Sequence, residues 1–133
     1  MTEAPQIKHV IYDTSAMVLD REHIEGLKAL QDDTGSTSLI SELFTLFISE
    51  NQEKINQLES VCIARDDVTL KRIVHFIAGG AGNIGLMRLS ALCRGVEEAI
   101  CKGVFLDYEA CARLIPQEYE LATTAFREIL GAD

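Results

Sequence analysis

His75 is the residue in this chain whose surroundings best suit chemistry. Gly79 and Gly82 follow it by one and two helical turns. An imidazole beside bare backbone is a nucleophile or general base that another molecule can approach closely. Overlapping it is Gly80-Ala-Gly82-Asn-Ile-Gly85, which satisfies G-x-G-x-x-G. Ile73–Ile77 before it could be a strand, and Asp107 lies about 20 residues beyond it, as in a fingerprint that cradles a dinucleotide pyrophosphate. Cys62, Cys93, Cys101 and Cys111 form no C-x-x-C pair and have no histidine at zinc spacing, so no metal site is expected. Each falls on or near an apolar helix face and reads as a buried free thiol, which suits a reducing compartment.

These residues must be positioned by helices. Residues 1–17 read as a weakly ordered segment, with Ile7–Tyr12 a possible extended piece, and residues 18–133 as one domain. Asp20 should cap a short helix, Arg21–Leu30, followed by a polar loop over Gln31–Ser38. A long helix is expected from about Ser38 to Ala64, with Leu39, Ile40, Leu43, Phe44, Phe47, Ile55, Leu58 and Cys62 recurring at helical spacing. Leu46 and Ile48 add apolar surface beyond one ~100° stripe, to be covered by the first helix or left for a partner. Asp66 or Asp67 should cap a helix over about Val68–Ile84, with Gly85 as its end or a sharp bend. The next runs over about Leu86–Lys102, with Leu89, Leu92, Cys93, Val96, Ala99 and Ile100 inward, and Gly103 stops it. Asp107 should cap the last, about Tyr108–Leu130, with Cys111, Leu114, Ile115, Leu121, Ala122, Ala125 and Ile129 inward. Pro116 should kink this helix or delay its start. The layout predicts an all-α fold, an antiparallel four-helix bundle with a short N-terminal capping helix.

Periodicity separates the two readings of the glycines. At about 100° per residue, Leu70, Ile73, Val74, Ile77, Ala81 and Ile84 share roughly one third of the circumference. That stripe runs straight through the glycines, where a strand would give way to a loop before Gly80. A single βαβ unit also cannot build the sheet that binds a dinucleotide. His75 falls off the stripe, on a solvent face shared with Val68, Lys71, Arg72, Ala78, Gly79 and Gly82. Each glycine in a helix costs about 1 kcal/mol relative to alanine. Their clustering on the face of His75 favours a surface kept bare for another protein.

The run from His75 through Gly85, continued by Leu86-Met-Arg-Leu-Ser-Ala-Leu-Cys93, resembles the phosphorylation helix of histidine-phosphotransfer (HPt) domains. The histidine, Ile77, Gly79, Ala81, Ile84 and Gly85 agree with that family's motif, and the likeness extends over about residues 18–130. The resemblance implies a carrier, not an enzyme, in a multistep phosphorelay. His75 accepts a phosphoryl group from a receiver-domain aspartate and passes it to another receiver. It implies no cofactor of the chain's own, Mg²⁺ being supplied by the receiver, and response-regulator receivers and hybrid sensor kinases as partners. It also implies that Glu97 orients the imidazole. The motif usually has lysine where Ala78 stands and often serine at Gly80, so Lys71 and Arg72 become the candidate counter-charges. The expected docking surface combines Gly79 and Gly82 with the apolar edge that includes Phe44 and Ile48, with Arg72 at its rim. His9 and His23 read as incidental.

Composition narrows the alternatives. The formal charge of -9, from 21 acids and 12 bases, disfavours nucleic acid and anionic membranes. The uncharged run between Arg72 and Arg88 is shorter than the roughly 18 residues of a spanning helix, and the N-terminus lacks a signal-peptide core. The expectation is a cytoplasmic monomer without membrane insertion. Other readings are a degenerate HPt module that docks receivers or kinases without relaying phosphate, a nucleotide-binding protein using Gly80–Gly85, and a plain helical scaffold.

Overall fold

The computed structural model describes residues 10, 17–35, 39–104 and 107–131. The expected extended piece at Ile7–Tyr12 therefore lies outside the described residues except for Val10, which is buried. Among the described residues five helices follow in order: α1 (Arg21–Thr34), α2 (Leu39–Ile63), α3 (Asp67–Asn83), α4 (Met87–Cys101) and α5 (Tyr108–Gly131). Helices α2 to α5 form a closed antiparallel bundle in which α2 packs on α3 and α5, and α4 packs on α3 and α5. Helix α1 leans on α2 and caps one end. Short connections enforce this arrangement, because a few residues allow a helix only to fold back beside its predecessor.

Local chemistry sets the helix limits. Asp20 accepts a hydrogen bond from the His23 amide at 3.1 Å, and Asp66 accepts from the amide and hydroxyl of Thr69 at 3.1 and 2.6 Å. Those bonds hold the Asp66 carboxyl below its usual range. Helix α1 runs on past the expected end at Leu30 to Thr34, where Gly35 closes it at φ 72°. Gln31, expected in a loop, is thus helical, and its side chain accepts from the Ile40 amide at 3.0 Å. The helix α5 continues through Pro116 instead of starting after it.

The core is continuous from α1 to α5. Phe44 stacks on Phe126 with centroids 4.9 Å apart, and Phe47 on Tyr119 at 5.9 Å. The inward face of α5 differs from the sequence reading. Leu121 is exposed, and Ala110, Tyr119, Thr123 and Phe126 are buried on α5 instead. Phe44 belongs to this core and not to a docking edge. Cys62, Cys93 and Cys111 are buried, whereas Cys101 is exposed, contrary to the expectation for it. Burial pushes the Cys93 thiol up, and a hydrogen bond to Cys62 together with burial does the same for Cys111. Cys62, accepting that bond, is lowered, but it too is shut off from solvent. Thiolate exposure governs disulfide-exchange reactions. A disulfide reagent should therefore modify Cys101 quickly in the native protein and the other three thiols only on unfolding. Rapid modification of more than one thiol would contradict this core.

The α3–α4 corner positions the site. Gly85 takes φ 84°, and its carbonyl accepts from the Asp20 amide at 2.8 Å. The Arg88 amide reaches the Val18 carbonyl at 3.5 Å, and a His23 ring nitrogen meets the Asn83 carbonyl at 2.7 Å. His23 is thus a structural staple between α1 and the end of α3, a role its sequence neighbourhood did not reveal. Val18–Asp20 precedes the helix as this anchoring strap.

Candidate functional site

Gly79, Gly80 and Gly82 all lie inside α3, so the run from Gly80 to Gly85 makes no phosphate-cradling loop. The nucleotide reading is overturned by that continuity. The three glycines have different surroundings. A Cβ at Gly79 would meet nothing within 4 Å, so this glycine leaves open surface. A Cβ at Gly80 would lie 3.2 Å from the Phe47 ring and 3.3 Å from Asn51 Nδ2, so glycine there lets α2 approach. At Gly82 a Cβ would touch Ser90 Oγ at 3.4 Å, with the Arg94 guanidinium at 3.9 Å.

His75 stands at mid-α3 with 71% of its side chain exposed. Its Nδ1 lies 2.7 Å from Glu97 Oε2, across the α3–α4 groove. An ionised carboxylate can only accept, so Nδ1 carries the proton and Nε2 keeps its lone pair. The carboxylate is only 22% exposed, which strengthens its hold on the ring. The result is a ring held in one orientation by Glu97, with Nε2 turned away from α4.

Of the residues expected at this site, some lie beside His75 and others do not. Gly79 and Gly82 are exposed on the face of His75, and Lys71 and Arg72 are exposed one turn earlier. Ala78 is not on that face. It is 1% exposed, packed toward α4, and its carbonyl accepts from Ser90 Oγ at 2.9 Å. A wheel places Ala78 at the edge of the exposed arc, and α4 closes over that edge. A lysine at 78 would have to start its side chain within the α3–α4 contact. Ile48 is half-buried against the core and does not line the surface beside His75.

The apolar edge near the site comes from other residues. Leu43, Leu46 and Phe47 of α2 line a hollow with His75, Phe76 and Gly79. Leu46 is 53% exposed and Phe76 40%. The signal for Leu46 was present in its excess apolarity on α2. Phe76 lies off the apolar stripe of α3, and a large exposed aromatic beside the histidine was the missed cue.

Residues 42–128 match the family model of the Hpt domain. The chain belongs to the Hpt domain family. As such it is a histidine phosphotransfer protein of phosphorelays. Hpt proteins are carriers of phosphoryl groups that interact with receiver domains and kinases. The fold agrees: the crystal structure of histidine-containing phosphotransfer protein B (HptB) from Pseudomonas aeruginosa PAO1 superposes with a TM-score of 0.74 at 22% identity, covering 90% of this chain and 99% of that one. No curated protein sequence matches the chain. Among the described residues of this Hpt protein, no helix is long and apolar enough to cross a membrane, and no cluster of side chains could hold a metal ion.

Proposed function

We propose that His75 is the phosphoryl carrier of this Hpt protein, accepting from the aspartyl phosphate of one receiver domain and delivering to the aspartate of another. The observation that carries this reading is the bond from His75 Nδ1 to Glu97 on an otherwise exposed imidazole. The Nε2 lone pair forms the N–P bond while the P–O bond to the donor aspartate breaks, its electron pair leaving on that carboxylate. The Nδ1 proton stays in place, and Glu97 balances the positive charge that the ring acquires, as a carboxylate does for a catalytic imidazolium. Return transfer is the same step reversed. The receiver brings Mg²⁺ and most of the charge stabilisation. This chain brings a positioned nucleophile and no catalytic turnover of its own.

The docking surface in this reading is the hollow of Leu43, Leu46, Phe47, Phe76 and Gly79, extended along the exposed face of α3 to Gly82 and Arg72. The chain acts as a cytoplasmic monomer toward response-regulator receivers and hybrid kinases. Incubation with a receiver carrying labelled phosphate should move acid-labile label onto the chain. Binding without label would support docking alone. Gly79→Leu gives a second check. Its side chain enters open space, and leucine gains up to about 1 kcal/mol in helix propensity over glycine. The variant should be slightly more stable than wild type yet lose most receiver-dependent labelling. Unchanged labelling would move the docking surface elsewhere.

A further inference from the structure

A phosphoryl group on His75 adds about two negative charges, which need a counter-charge. Position 78 cannot supply one, because it is alanine and closed against α4. Arg94 on α4 has its guanidinium at Gly82, two turns and about 10 Å along the axis from His75. Glu97 holds Nδ1 on the α4 side, so Nε2 faces away from α4. On the other side, His75 shares a hollow with Lys54 and Gln57 of α2 and with Thr69, Arg72 and Phe76 of α3.

We propose that Lys54, reaching across from α2, forms with Arg72 the seat that holds the phosphoryl group on His75; this rests on His75 being the carrier. Lys54 Nζ lies 4.1 Å from the centre of the Phe76 ring, next in sequence to His75, and donates to the Glu50 carbonyl at 3.3 Å. Those contacts fix the ammonium at the rim without neutralising it. Neither Lys54 nor Arg72 has a carboxylate in salt-bridge range among the described residues. Gln57 adds an uncharged donor on the α2 wall, whereas the Thr69 hydroxyl is already given to Asp66. Glu53 lines this hollow, Asp66 acts on Arg72 electrostatically and Glu97 faces the other ring nitrogen, so Lys54 and Arg72 are the cations lining the Nε2 side.

The test uses phosphoramidate, a small donor that needs no docking. The Nε2 lone pair takes the phosphoryl group and ammonia leaves. Lys54→Ala, Lys54→Arg and, as a remote loss of one positive charge, Arg113→Ala are compared with wild type at low and high salt. Lys54→Ala should reduce labelling about fivefold at low salt, the equivalent of ~1 kcal/mol. The loss should shrink at high salt, and Lys54→Arg should restore labelling. The ³¹P titration of the phosphorylated protein adds a readout that a structural role would not move. A nearby cation favours the dianion, so Lys54→Ala should raise the apparent phosphoryl pKa while Arg113→Ala leaves it in place. Wild-type labelling and titration in Lys54→Ala would overturn the seat and leave His75 as carrier. Label from phosphoramidate but none from a phosphorylated receiver would overturn the carrier reading, and the Lys54 comparison would still stand. No label on His75 from either donor would overturn both.

Discussion

His75→Gln is expected to abolish phosphoryl acceptance while leaving the melting temperature within about 3 °C of wild type. The imidazole is largely exposed and meets Glu97 only at its tip. Surface substitutions away from buried networks usually stay within ~0.5 kcal/mol, which sets the small thermal shift. Glutamine keeps a donor for the Glu97 carboxylate, so no buried acceptor is orphaned. It has no nitrogen lone pair able to attack phosphorus, because its amide nitrogen is conjugated. The loss should therefore be complete and not partial. The check is labelling and thermal denaturation on the same preparation. Residual label would place the carrier at another residue, and a large loss of stability would make His75 a packing residue.

The largest expected stability effect lies at the corner behind the site. Gly85→Ala should destabilise the protein by about 3 kcal/mol, equivalent to roughly 10 °C in melting temperature. Two causes act together. Gly85 sits at φ 84°, where a side chain is strained. An added Cβ would also lie 3.0 Å from Ile24 Cγ1 and 3.2 Å from the Asp20 carbonyl. Both contacts belong to α1 or its cap, so strain there also loosens the strap over the bundle. Gly79→Ala is the matched control, since it enters open space in regular helix and should stabilise by up to about 1 kcal/mol. The same chemical change at two glycines six residues apart should thus have opposite signs. Equal effects would mean that the corner geometry is wrong.

The fold was largely legible because helical periodicity is a local signal. The stripe Leu70, Ile73, Val74, Ile77, Ala81 and Ile84 is buried as read, and the caps at Asp20 and Asp66 hold. What escaped depends on neighbours that a helical wheel does not know. Ala78 sits at the margin of the exposed arc, and the close approach of α4 buries it. Leu121 is apolar by type but faces solvent, because Tyr119 and Phe126 fill the space that α2 leaves. Cys101 occupies the last turn of α4, where the core has already ended. The exposure of His75 was readable from its place off the stripe, and its contact with Glu97 only from the family resemblance, since the two meet across helices. The place of Lys54 beside Phe76 was not readable at all, because that contact comes from another helix.

The most direct test of the account is the position of phosphorus on the ring. Protein labelled with ¹⁵N in histidine should be phosphorylated by a receiver domain and read by ³¹P–¹⁵N correlation NMR. The account predicts one phosphorylated residue, His75, with phosphorus on Nε2 and the proton retained on Nδ1 toward Glu97. Phosphorus on Nδ1, on another residue, or on none at all would contradict it.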